Sequence, residues 1–299
     1  EDLQVIAAEQ KSQHETLTRL RAAVDDAYDT ALENIREAAS DGTLLRGEVL
    51  MRWQDFVGTG EFFRSLESGI GRLRDRLVGI MRGTPAQAAK VEQALEHGLH
   101  AVAVDAAARA AEQVRRSWGS ERPGALLLEE HDAGVTAEQV QTEQSTFETQ
   151  VAEQIRAWQQ GILETIRAEG AGKRQRARVL SLGVNAAAVL LMVAVFSATG
   201  GLTGLEIGIA GGSGVVGSKL LESVFGEDAA RRMAQRARID LIERMQNLLD
   251  VHRQRFTDSL NTINAGPEPA QVLEAAQQTH RIGHELAVDG SPAGKEIRG

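Results

Sequence analysis

Three groupings in this 299-residue chain have residue types that could do chemistry. The first is Gly212-Ser213-Gly214-Val215-Val216-Gly217-Ser218-Lys219, a glycine-rich run ending on a lysine. A phosphate-binding loop needs Gly-Lys-Ser/Thr at that end, so that the lysine reaches the phosphates and the hydroxyl binds magnesium. Here the order is Gly-Ser-Lys-Leu and no strand pattern precedes it, so the run is not read as a nucleotide site. The second grouping is His280 and His284, followed by Glu285; the His-Glu-x-x-His order of a zinc protease is absent. The third is His97 and His100, three apart among small residues, which fits surface or packing roles better than metal ligation. No Ser/His/Asp grouping has a nucleophile context. The sequence therefore assigns no catalytic, cofactor-binding or metal-ligating residue to this chain.

Composition narrows the remaining classes. Acidic side chains number 42 against 33 basic ones, a net charge of −9, which argues against a general nucleic-acid binder. The absence of cysteine excludes disulfides, thiolate zinc sites and cysteine nucleophiles. Aromatics make up only 4%, and alternating β-branched runs are missing, so a sheet is not expected. Alanine, leucine, glutamate, glutamine and arginine favour helix. The start, Glu-Asp-Leu, has neither an initiator Met nor a signal-peptide pattern, and the chain is expected to be a piece of a longer protein.

The most distinctive stretch is Val179 to Leu205, which no charged residue interrupts. Its first part, Val179 to Ala198, is about long enough to cross a hydrocarbon core as a helix. A Gly/Thr cluster at 199–204 then breaks it, and a second apolar segment runs from Leu205 to Phe225. The pair reads as a hydrophobic helical hairpin. Its expected membrane-inserting residues are Leu180, Val184, Val189, Leu190, Leu191, Met192, Val193, Val195, Phe196, Leu202, Leu205, Ile207 and Ile209. Lys173, Arg174, Arg176 and Arg178 precede the hairpin, and Arg231, Arg232, Arg236 and Arg238 follow it. Basic residues on both flanks put both ends on the cytoplasmic side, with Lys173, Arg174, Arg176, Arg178, Arg231 and Arg232 as headgroup contacts. Gly200, Gly204, Gly208 and Gly212 recur every fourth residue, so a helix there presents one ridge for close packing within the hairpin. Thr203-Gly204-Leu205-Glu206 fits a capping box, which gives Glu206 a structural role in preference to a place in a pore.

The rest of the chain reads as long amphipathic helices that carry the hairpin. Residues 1–118 form a helical bundle segment, with Leu17, Leu20, Val24, Ala27, Ala31 and Ile35 on one face of its first helix. Gly119, Pro123, Gly124 and an acidic run make 119–136 a linker. A long stalk helix spans 137–172, with Val140, Phe147, Val151, Ile155, Trp158, Ile162 and Ile166 as its apolar stripe. The hairpin with its basic flank occupies 173–226. A returning stalk helix spans 227–264, with Met233, Ala237, Leu241, Met245, Leu248, His252, Phe256 and Leu260 as its stripe. Residues 265–299 are a short polar helix and a tail. The expected fold is all-α: an elongated antiparallel helical bundle with the hydrophobic hairpin at one end.

Two stretches carry a family resemblance. One runs from Gly47-Glu48-Val49-Leu50-Met51-Arg52-Trp53-Gln54-Asp55-Phe56 to Phe63. The other runs from Gly183-Val184-Asn185 through the 199–204 cluster and Gly211-Gly212 to Phe225-Gly226. Both are similar to the helical region downstream of the GTPase domain in bacterial dynamin-like GTPases. The resemblance implies a helical stalk, a membrane hairpin and self-association or pairing with a homologue. It implies GTP and magnesium only for an upstream domain, because this chain has neither a phosphate loop nor a guanine-recognition motif. On that reading the partner is an anionic lipid membrane, with no nucleic acid, at the cytoplasmic face of the cell membrane. Two other readings stand beside it. One is an α-helical pore-forming protein without enzymatic activity, whose hairpin is hidden until insertion. The other is a soluble helical scaffold in which the hairpin is core.

Because no loop here is built to cradle phosphates, the purified chain should give no saturable GTP or ATP binding in a calorimeter; saturable heat would overturn the reading of Gly212 to Lys219.

Overall fold

The structure is a computed structural model that describes residues 2–57, 85–132, 136–172, 183–197, 209–263, 270–271, 274–275 and 277–282. The described residues form an all-α protein, compatible with a helical bundle and with no strand among them. In chain order the helices are α1 (Asp2–Ala38), α2 (Glu48–Val57), α3 (Pro85–Gly119), α4 (Arg122–Asp132), α5 (Ala137–Glu169), α6 (Val184–Val195), α7 (Ile209–Phe225) and α8 (Glu227–Asn261). A 3-10 turn, Thr43–Leu45, precedes α2.

The contacts divide the chain into two units, and the division does not fall at the end of the expected 1–118 segment. One unit holds residues 1–26, 114–133 and 254–299; the other holds 27–113 and 134–253. Helices α1, α3 and α8 each contribute to both units.

In the first unit, Trp118 is fully buried; its indole N–H donates to the Leu20 carbonyl at 3.0 Å, and its ring meets Phe256 edge-on at 5.7 Å. Arg19 reaches Glu121 with two donors, at 3.4 and 3.0 Å. The segment 119–136, expected as a linker, carries α4 instead. Its two linker signals are helix-start signals here. Pro123 sits in the first turn, where its missing N–H would have had no helical partner. Gly124 is required by close approach, because a Cβ there would lie 2.8 Å from the Cα of Trp118. Leu127 is then buried against the unit's core.

In the second unit, the alanine-rich α3 buries Leu95 and Leu99 together with Ala94, Ala103, Ala106, Ala107 and Ala110, whose small side chains let helices approach closely. Helix α5 begins on a capping box: the Gln139 N–H donates to Thr136 Oγ1 at 3.2 Å, and the Thr136 N–H donates to Gln139 Oε1 at 2.8 Å. From Phe147 to Ile166 its stripe is buried as the periodicity predicts, whereas Val140 at the start is 51% exposed. The α8 stripe is buried except at His252, which is half-buried. Contacts between α5 and α8 descend on one helix as they ascend on the other. The Phe147 ring lies 4.5 Å from His252, Gln154 accepts from Arg244 at 3.1 Å, and Trp158 donates to the Ala237 carbonyl at 2.8 Å. Tyr28 adds a hydroxyl contact to His252 Nδ1 at 2.8 Å, tying α1 to the same helix.

Ile155 is completely buried and Val140 half exposed, on the same helix. Ile155→Ala should lower stability by about 2–5 kcal/mol in denaturant unfolding, while Val140→Ala should stay within about 0.5 kcal/mol of the parent. Equal effects would show that the α5 stripe is placed in the wrong register.

Candidate functional site

The candidate site is the apolar helix α6 together with what covers it. Every side chain from Ala186 to Phe196 is buried, including Val189, Leu190, Leu191, Met192, Val193 and Val195, while Val184 in the first turn is half-buried. A helix apolar on all sides has to be covered on all sides. Helices α5 and α7 pack directly against α6, and α7 also packs on α2 and on the Thr43–Leu45 turn. From α5, Trp158 lays its ring 5.6 Å from that of Phe196. From α7, Gly217 faces Val193 so closely that a Cβ on it would lie 2.7 Å from Val193 Cγ1. The edge of Trp53, on α2, lies 3.6 Å from the same point, and its own ring packs 5.7 Å from Phe56.

The C-terminal end of α6 is polar and buried, so its carbonyls need donors. The Phe196 N–H donates to the Met192 carbonyl, and the Ser197 hydroxyl donates to the Ala194 carbonyl at 2.8 Å. The Val195 carbonyl is taken by Arg238 of α8, whose Nε donates at 3.1 Å and whose Nη2 makes a second, short contact to the same oxygen. Nη2 also reaches the Ser197 carbonyl at 3.4 Å. Burial pushes the Arg238 guanidinium below its usual value. Its partners are the negative end of the α6 dipole, the favourable place for a cation. Ser197 Oγ also lies 3.3 Å from Ser218 Oγ on α7.

Several expectations are corrected here. The expected helix from Val179 to Ala198 is Val184–Val195 among the described residues, and no described helix is long and apolar enough to cross a membrane. Arg238, read from sequence as part of a basic flank, points into the protein and ends α6. By contrast Arg231 and Arg232 are exposed, Arg231 pairing with Glu227 at 2.7 Å. The phosphate-loop look-alike lies inside α7, where the Lys219 ammonium pairs with Glu222 at 2.7 Å. The close α6–α7 approach described is at Gly217, which the expected glycine ridge omits. Of that ridge, Gly200, Gly204 and Gly208 lie outside the described residues, and of Gly212 only its place in α7 is described. Lys173, Arg174, Arg176, Arg178, Leu180, Leu202, Leu205, Glu206 and Ile207 also lie outside the described residues, and Ile209 is described only as the first residue of α7. His100 donates from its ring to the Glu148 carbonyl at 3.0 Å, a packing role. No group of residues that could hold a metal ion occurs among the described residues.

Sequence reasoning missed Gly217 and the capping role of Arg238. No local signal marks either, since each acts on a residue of another helix. The Thr136–Gln139 capping box was also missed, although Thr-x-x-Gln before an apolar stripe announces it. Compared with protein-family profiles, curated proteins and solved structures, the chain matches none of them.

The close approach at Gly217 gives a direct check. Gly217→Ala must push against the branched Val193, and should cost about 1–3 kcal/mol in thermal or denaturant unfolding. An unchanged midpoint would show that α6 and α7 do not meet there.

Proposed function

We propose that this chain is a membrane-binding helical stalk of the dynamin-like kind, which stores an apolar hairpin inside its own bundle and delivers it to an anionic membrane surface. One observation carries the proposal: the unbroken burial of α6 from Ala186 to Phe196. A helix with no polar side belongs either inside protein or inside lipid, and hydrocarbon is about as apolar as a leucine-rich core. Moving α6 from one to the other therefore costs little hydrophobic free energy. At 12 residues α6 is ~18 Å long, against a hydrocarbon core of ~30 Å, so the reading is insertion into the cytoplasmic leaflet and not a span.

The opposed contacts of α5 and α8 support an antiparallel stalk below the hairpin. Lys173, Arg174, Arg176 and Arg178, with the exposed Arg231 and Arg232, supply the attraction to anionic headgroups. An upstream domain would bring the GTP and magnesium chemistry, and self-association or a paired homologue would complete the assembly. A second reading, a soluble scaffold, is favoured by the satisfied α6 end: with Arg238 on the Val195 carbonyl, α6 needs no lipid.

Flotation with neutral and anionic liposomes separates the two. The parent should float with anionic vesicles, and replacing Arg174, Arg176 and Arg178 with glutamine should weaken this chiefly at low salt, where charge attraction is unscreened. Leu191→Asp with Val195→Asp should abolish flotation, since a charge in hydrocarbon costs about 2.5–3.5 kcal/mol or more. The same pair disturbs the core, and a loosened core makes a protein stickier towards vesicles, so loss of flotation reports the lipid step. A parent that fails to float, or an aspartate pair that floats as well as the parent, returns α6 to the scaffold reading.

A further inference from the structure

We propose that Arg238 is a latch: by holding the Val195 and Ser197 carbonyls it keeps the α6 end inside the bundle, and its release is the step that frees the hairpin. Three observations meet at one point. The guanidinium donates from two nitrogens to the Val195 carbonyl and reaches the Ser197 carbonyl. The residue beside it, Ala237, accepts the Trp158 indole N–H at 2.8 Å. The ring of that same tryptophan packs on Phe196, between the two carbonyls that Arg238 holds. Helices α5 and α8 are thus pinned to each other and to the last turn of α6 by adjacent residues.

The physical case rests on what distinguishes the two homes of α6. Apolar burial is non-directional and nearly the same in core and in lipid, so Leu190, Leu191 and Met192 do not choose between them. Directional contacts do choose. The Val195 carbonyl ends a helix in a buried setting, where a lost donor leaves it bearing the full desolvation penalty. A guanidinium supplies charge-assisted bonds from a rigid fork, stronger than neutral ones. It also carries the positive charge favoured at a helix C-terminus. Arg238 is the cation that the described contacts place on this end; its neighbours Arg231, Arg232 and Arg236 face solvent.

The latch itself requires only that α6 sits where it is; its link to membranes rests on the proposed function, and the experiment separates them. Amide hydrogen exchange should be followed by mass spectrometry in the parent, Arg238→Ala, and Arg109→Gln as a charge control in an exposed ion pair on α3. Arg238→Ala should speed exchange in peptides covering α6 at least about tenfold, the equivalent of one charge-assisted hydrogen bond. Peptides covering α3 should be unchanged, and Arg109→Gln should match the parent throughout. Unchanged α6 exchange, or an equal rise in every helix, overturns the latch.

Should Arg238→Ala fail to fold, Arg238→Lys decides. It keeps the charge and most of the stem but loses the fork that holds the Val195 carbonyl from two nitrogens, and should loosen the same α6 peptides; no selective loosening overturns the latch. Flotation of Arg238→Ala with vesicles of phosphatidylglycerol and phosphatidylcholine should exceed that of the parent. Loosened α6 without added flotation upholds the hold of Arg238 on α6 and sinks its release as the step that frees the hairpin. Added flotation without loosened α6 sinks the latch alone.

Discussion

An apolar helix whose last carbonyls are buried sets the terms for the second unit. Helix α6 has no side that water would tolerate, so α5 and α7 must press on it. Its C-terminal end has the opposite need: carbonyls without helical partners, in a place water does not reach. Apolar neighbours can cover the side chains but leave the end unsatisfied. Arg238, Ser197 and the Phe196 N–H resolve that conflict with donors brought from α8 and from the chain just past the helix.

Tryptophans recur at the points where helices are joined. Trp118 in one unit and Trp158 in the other each lend an apolar ring to a neighbouring aromatic and an indole N–H to a backbone carbonyl on another helix. One side chain thereby contributes large buried area and one directional bond, fixing both the distance and the rotation of the helices it joins. Trp53 fills space beside Gly217, and its indole nitrogen has no hydrogen-bond partner among the described residues.

A stored hairpin and a scaffold core look alike in one conformation, because both are apolar surface removed from water. They differ in how the helix is retained. A core helix is held by volume complementarity along its whole length. A helix meant to leave is better held by a few directional contacts, which can be lost together while the apolar free energy is conserved in lipid. In the latch proposed above, those contacts would be the node of Arg238, Trp158 and Ser197. The tight fit of Gly217 on Val193 holds α6 and α7 to each other.

Much of the fold was legible in the residues. The stripes of α5 and α8 appear as apolar residues every three or four positions, and Ile155, Trp158, Leu241 and Met245 are buried as that spacing requires. The lack of charge around α6 required it to be covered by something. What the sequence alone could not decide was the identity of that cover, since hydrophobicity carries no direction and reads the same against protein or lipid. The role of Arg238 was equally hidden: its partner Val195 is 43 positions away, and in sequence it is one more arginine of a basic flank. Gly217 was passed over for a regular glycine ridge because the need for a missing Cβ arises only where Val193 arrives from another helix. Pro123 and Gly124 looked like a linker because their local signal is ambiguous; the backbone of Trp118, packed against Gly124, decided for a helix. Periodicity within one helix is a local property and is written along the chain. Which helix covers which, and which donor meets which carbonyl, depends on residues far apart in sequence, and only the tertiary structure brings them together.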